Sequence, residues 1–216
     1  MQLIQNFCSE DLGGFYLDIL KDRLYTTSTD GKPRRASQTA LHHILQMLTR
    51  LISPVMSFTA EEIWSVLNTG KDDSVFLHSF YQLPAIVDAQ DLETRWQGIR
   101  GARNFVLKEL EVARTAGKIG SSLQAEVVAK LGPIGGGWLK SLGDDLRFVL
   151  ITSSAAVEIT DNPEERGAVV TASTDQKCER CWHYRADVGS HAEHVTLCNR
   201  CVDVVVNHKD EDRQYA

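Results

Sequence analysis

Residues 91–120 read DLETRWQGIRGARNFVLKELEVARTAGKIG, and the fold turns on this stretch. Leu92, Trp96, Ile99, Ala102, Val106, Leu110 and Ala113 recur three or four positions apart, the spacing that places side chains on one face of an α-helix. Gly117 supplies a residue that can turn left-handed and stop that helix. Beyond Gly120 the helical period disappears. Residues 123–131 and 147–160 are rich in Val, Ile and Ala and read as strands, on either side of a short helical candidate at 138–146. Gly132-Pro133 and Gly135-Gly136-Gly137 punctuate the segment, the latter as a flexible turn. Residues 161–167 are polar and read as a loop, and 168–172 offer one more strand. The pattern predicts a mainly α chain, a helical bundle over residues 1–117 followed by a small α/β module over 118–174.

Upstream the helical period holds. Leu12, Phe15, Tyr16 and Ile19 would line a buried face, and Gly13-Gly14 forecasts a break or a close helix contact within it. Residues 26–33 form a loop by composition. Leu41, Ile44, Leu45, Leu48, Ile52 and Val55 then make a continuous apolar stripe, ended or kinked by Pro54. Thr59-Ala60-Glu61-Glu62 reads as a capping box opening a short helix through Ile63, Trp64 and Leu67. Residues 68–84 read as a loop with an extended piece at 75–78. Three long amphipathic helices joined by loops make a bundle.

The chemistry lies nearer the C-terminus. Cys178-Glu179-Arg180-Cys181 and Cys198-Asn199-Arg200-Cys201 stand sixteen residues apart. Each Cys-x-x-Cys turn aims two sulfurs at one point, and two turns complete a tetrahedron around Zn²⁺ at about 2.3 Å per sulfur. Four thiolates leave no open coordination position, so one structural zinc ion per chain is expected within a module spanning 175–216. Iron suits the same donors and stays open. A redox pair belongs at a helix start within a βαβ unit, a setting neither pair shows. Cys8, among Phe7, Leu12 and Phe15, reads as a small buried residue. His42-His43 lies on the second long helix, with His43 at its surface.

The formal net charge of -6 argues against indiscriminate coating by nucleic acid, but the cations are clustered. Residues 21–50 carry six cations against two anions, and residues 95–130 carry seven against three. Such faces suit a phosphate backbone touched at chosen points, or are solvated helix surfaces. The candidates are Arg34, Arg35, Arg103 and Lys118. Arg180, Trp182, Arg185 and Arg200 join them, because aromatic rings beside guanidinium groups stack on unpaired bases and hold phosphates. Trp182 and Tyr184 equally read as a miniature core over the metal. The start, residues 1–7, lacks a cationic lead and a long apolar run, and no stretch reaches bilayer length. No membrane association is expected, and the cytoplasm is the expected location. There is no Walker loop, no Gly-x-Ser-x-Gly elbow and no His-Glu-x-x-His, so no catalytic residue is assigned.

Phe15-Tyr16-Leu17-Asp18-Ile19-Leu20-Lys21-Asp22-Arg23-Leu24-Tyr25 resembles the hallmark helix of the anticodon-binding domain of bacterial isoleucyl-tRNA synthetases, class I aminoacyl-tRNA synthetases. Residues 51–64 are similar to a helix–turn–helix shared by the class I enzymes for isoleucine, valine, leucine and methionine. Residues 118–123 and 142–149 continue the likeness, and the two cysteine turns with Trp182-His183-Tyr184 set the isoleucine enzyme apart. The resemblance implies a helical anticodon-binding domain, a small α/β module and a zinc finger packed against tRNA. It implies tRNA(Ile) as partner, beside the upstream catalytic and editing domains of the same polypeptide, in a monomer. The family joins isoleucine to its tRNA with ATP and edits misactivated valine. His-Ile-Gly-His, Lys-Met-Ser-Lys-Ser and the editing insertion are absent from these residues, so this region is expected to be non-catalytic and to bind no ATP. A stand-alone zinc-ribbon RNA-binding protein is the alternative. A DNA glycosylase C-terminal region is another, weakened because Met1-Gln2-Leu3 lacks the proline nucleophile and its glutamate.

Overall fold

The computed structural model describes residues 1–68, 73–210 and 213–215. The chain forms two compact units, Met1–Arg34 with Asp88–Ala216, and Arg35–Val87.

The first unit opens with α1 (Gln2–Asn6), a π-helical stretch (Phe7–Tyr16) and α2 (Leu17–Thr26). The glycine pair explains the π geometry. A Cβ on Gly13 would lie 3.2 Å from the carbonyl oxygen of Cys8, and one on Gly14 3.2 Å from that of Ser9, each five residues back. Without side chains these residues let the helix widen rather than break. Leu12, Ile19 and Leu20 are buried and Phe15 meets Trp96 edge to face at 5.9 Å. Leu12 is the buried residue of the π stretch, and Cys8, expected inside, is exposed.

The long helix α5 (Ala89–Thr115) buries Ile99, Val106, Leu110 and Ala113 as its period predicts. It ends in a Schellman turn. Gly117, at φ +70°, donates to the Arg114 carbonyl at 3.0 Å, and Lys118 N–H donates to that of Ala113 at 2.9 Å. Strand β1 (Ala125–Leu131) buries alternate residues, Ala125, Val127, Ala129 and Leu131. It is the middle strand, parallel to β2 (Ser154–Ile159) and antiparallel to β3 (Gly167–Ala172), with Val128 opposite Ala156 and Val169. Between β1 and β2 lie α6 (Pro133–Lys140) and α7 (Leu146–Leu150). Ile99, Val106, Val127, Leu139, Val149 and Leu150 share one core, each contributing roughly 1.5–3 kcal/mol by burial.

Two expectations fail here. Gly135–Gly137 are not a turn but part of α6, whose start is set by Pro133 in the first helical turn. A Cβ on Gly136 would sit 3.1 Å from Ile159 Cγ1, and one on Gly98 2.5 Å from the Trp138 indole nitrogen, so the glycines permit close helix approach. Residues 147–160 are not one strand: the apolar run starts as α7, with Leu146, Phe148, Val149 and Leu150 buried, before β2 begins. A short apolar run has no period that separates buried helix from strand.

In the second unit, α3 (Lys32–Ile52) continues from Arg35 and stops before Pro54, and α4 (Ser57–Leu67) packs Ala60 and Trp64 against Val75 and Ile52. Leu45 and Val55 of the apolar stripe are exposed. The expected capping box does not form. α4 begins at Ser57 with Met56 as its N-cap, so Thr59 lies inside the helix, and Glu61 accepts hydrogen bonds from Ser74 Oγ and Val75 N–H, both at 3.0 Å. That capture coils Val75–Leu77 into a 3₁₀ turn where an extended piece was expected. Arg50 lies over the rings of Trp64 and Tyr81, at 4.6 and 5.1 Å. His43 is half-buried, its Nδ1 2.7 Å from the Tyr81 hydroxyl.

The first unit is completed by β4 (Gln176–Lys177), antiparallel to β5 (Tyr184–Arg185), and by α8 (Asn199–Asn207). Among the described residues, no helix is long and apolar enough to cross a membrane.

Candidate metal centre

The first cysteine turn is the connection between β4 and β5. Cys178 N–H donates to the His183 carbonyl at 2.9 Å, and Trp182 N–H donates to that of Cys178 at 2.9 Å. Closing so tight a loop forces Trp182 to φ +66°, left-handed backbone that a bulky residue adopts only when its surroundings impose it. The second turn begins α8, with Cys198 as its N-cap and Cys201 in its first turn. Peptide dipoles at a helix N-terminus favour thiolate there.

All four sulfurs lie within 4.8 Å of one another, and all four cysteines are buried. Cys181 Sγ and Cys198 Sγ stand 3.8 Å apart, far beyond a disulfide. With metal–sulfur bonds of about 2.3 Å, the edge of a tetrahedron is about 3.8 Å. Cys198 N–H donates to Cys178 Sγ at 3.4 Å, and Arg180 Nη1 to Cys201 Sγ at 3.7 Å, as suits sulfurs carrying negative charge. The cluster polarises its own thiols. Cys181 is drawn below the usual thiol value by hydrogen bonding from Cys178, then Cys198 and Cys201. Cys198 and Cys201 are pushed above it, chiefly by Cys178 and then Cys181. Four sulfurs this close cannot all ionise alone, and a soft divalent cation at their centre removes the conflict. The residues therefore fit a metal, and the four sulfurs leave no coordination position for a substrate.

The remaining candidates separate by burial. Arg103 is 4% exposed; its Nε donates to the Val149 carbonyl at 2.7 Å and its guanidinium lies 5.3 Å from the Phe15 ring. It faces the interior and offers nothing to a phosphate. Arg200, whose side chain is 12% exposed, is likewise bound inside, its fork donating to Asp22 of α2 at 2.6 and 2.8 Å. Arg180 donates to the Thr26 carbonyl, also on α2, at 2.5 Å. Arg185 pairs with Asp187 at 3.3 Å and is half-buried. Arg34 is half-buried, and Arg35 and Lys118 are exposed. Trp182 does not serve as core: it is 59% exposed, with Lys177 Nζ 5.5 Å from its ring.

Sequence reasoning missed the acceptor at the centre of this arrangement. Asp22 also accepts from Arg213 Nη1 at 2.6 Å, with His183 Nδ1 3.9 Å away. Burial alone would raise its carboxyl, but Arg200, Arg213 and His183 together hold it down to about 2. The Phe148 ring lies beneath Arg213 at 3.7 Å and beside Arg200 at 5.2 Å. A mostly apolar groove of about 550 Å³ runs between α2 and this module, bordered by Ile19, Tyr25, Phe148 and Trp182. Nothing local marks Asp22, whose partner Arg200 is 178 positions away.

Comparison with known proteins agrees with this geometry. A family model described as the anticodon-binding domain of tRNA ligase matches residues 1–129, and one described as a zinc finger found in FPG and IleRS matches 175–204. The chain is similar to the isoleucine–tRNA ligase of Janthinobacterium sp. (strain Marseille), 54% identical over 216 residues, 99% of this chain and 22% of that protein. It is similar to those of Burkholderia multivorans, 54% identical over 92% of this chain and 21% of that protein, and Nitrosomonas europaea, 55% over 92% and 22%. The chain thus spans about a fifth of the length of these relatives and corresponds to their C-terminal part. A helical region matched along its length as an anticodon-binding domain, followed by four converging cysteines, places the chain in the bacterial isoleucine–tRNA ligase family.

Proposed function

We propose that this chain is the tRNA-binding C-terminal region of an isoleucine–tRNA ligase, holding the anticodon stem-loop of tRNA(Ile) while other parts of the same polypeptide do the chemistry. In this reading residues 1–117 form the anticodon-binding domain, 118–174 a small α/β module and 175–216 the zinc finger with its tail. The whole enzyme joins isoleucine to tRNA(Ile) using ATP and edits misactivated valine, acting as a cytoplasmic monomer; this region binds no ATP. One observation carries the proposal: the four-cysteine cluster is seated, through Arg180 and Arg200, on helix α2 of the region matched as anticodon-binding.

Cys178, Cys181, Cys198 and Cys201 would hold one Zn²⁺. Bound there, the ion ties two turns together and supplies folding free energy of roughly 10–16 kcal/mol rather than acid or nucleophile. Toward tRNA, Arg34, Arg35, Lys118 and Arg185 offer cationic contacts and Trp182 an exposed ring for stacking on a base.

The test separates the two half-reactions in the full-length enzyme. Cys201→Ser should leave isoleucine-dependent pyrophosphate exchange within about twofold, while transfer to tRNA falls by at least about tenfold, because small positional errors are costly when two reactants must be aligned. Collapse of both reactions in a folded protein would place the cysteine module in the activation site and defeat the proposal.

A further inference from the structure

Both cysteine turns carry an arginine in the same place, immediately before their second cysteine: Arg180 before Cys181 and Arg200 before Cys201. Both arginines reach α2. Arg180 meets the Thr26 carbonyl and Arg200 forks onto the Asp22 carboxylate, and residues 22 and 26 lie one helical turn apart on one face. Tyr184 N–H also ties the module to Ser153 Oγ just ahead of β2, at 2.6 Å, and the two arginines add its attachment to α2. Two contacts, one from each cysteine turn, fix the module against α2, and with it the direction of Trp182, which follows Cys181. Arg213 brings the tail to the same carboxylate.

We infer that Asp22 is a positioning residue for tRNA: by holding Arg200 and Arg213 at once, it sets the orientation in which the cysteine module meets the nucleic acid. The inference rests on the tRNA-binding reading above, and Asp22 itself touches no substrate. An aspartate suits the task because its two oxygens accept the planar fork of an arginine together. An amide in its place keeps the shape but turns an N–H donor toward two guanidinium groups. That is repulsive and leaves buried positive charge without a counter-charge.

The experiment uses the full-length ligase with Asp22→Asn, Asp22→Glu and Arg200→Lys. Asp22→Asn should keep one zinc per chain and normal pyrophosphate exchange. Its KM for tRNA should rise about tenfold with kcat changed far less, the split expected when binding is weakened ahead of chemistry. Asp22→Glu, which keeps both acceptor oxygens, should recover most of the loss. Arg200→Lys should reproduce the rise, and the double variant should add little to either single one. An unchanged KM in Asp22→Asn with zinc retained overturns the inference, as does loss of zinc from that variant, which would make Asp22 part of the module's own fold. Should Asp22→Asn fail to fold, Arg200→Lys decides alone, and a normal KM there overturns the inference. The broader reading fails separately, if Cys201→Ser transfers isoleucine to tRNA normally.

Discussion

Arg103 shows how position in the fold decides what a charge can do. Its Nε donates to the Val149 carbonyl, which belongs to the last turn of α7 and has no partner within that helix. Arg103→Met preserves most of the volume and strands that carbonyl in the core, so stability should fall by about 1–3 kcal/mol. Urea denaturation should show the shift with an unchanged slope, and tRNA affinity should be unaffected. A variant of native stability but weakened tRNA binding would return Arg103 to the nucleic-acid surface. The four cysteines were legible in the sequence because their geometry is local, two residues within one turn and two turns at ribbon spacing. The arginines were not, because 46 residues separate Arg103 from its partner and 178 separate Arg200 from Asp22. Local charge density registers a cation without registering whether it faces water.

Among the elements, those stopped by backbone chemistry were read well and those shaped by tertiary contact were not. Gly117 ends α5 where its left-handed geometry requires, closed by two Schellman hydrogen bonds. A Cβ there would meet nothing within 4 Å, so Gly117→Ala tests conformation alone. The substitution should cost about 1–2 kcal/mol, the penalty for a side chain in left-handed backbone, read as a lowered denaturation midpoint. No change would mean the turn relaxes to another geometry. By contrast, Gly135–Gly137 lie in a helix in which Gly136 passes close to Ile159, and Glu61 is engaged by Ser74 thirteen residues on. The π stretch was half legible: the glycine pair marked an irregularity, but not that the helix would widen instead of breaking.

For the molecule as a whole, the metal site and the sheet core rest on different sources of stability. The sheet and α5 share a packed apolar core, whereas among the described residues the small cysteine cluster has Val188 and Leu197 as the partly buried hydrophobics packed against it. A strong chelator should therefore raise amide hydrogen exchange across residues 176–204 while β1 and the buried face of α5 stay protected. Simultaneous loss of protection in β1 would show that the two form one cooperative unit. The class of the fold, mainly helical with a small sheet and a cysteine module, was legible from periodicity and spacing. The two compact units interleave along the chain, with Arg35–Val87 falling in sequence between the two segments of the other. That interleaving has a consequence for synthesis. Helix α2 leaves the ribosome well before its partners, since Arg200 and Arg213, which close over Asp22, follow 178 and 191 positions later. At roughly 5–20 residues per second, the Asp22 carboxylate stands without its two arginines for on the order of ten seconds, long enough for a chaperone to engage the unfinished region.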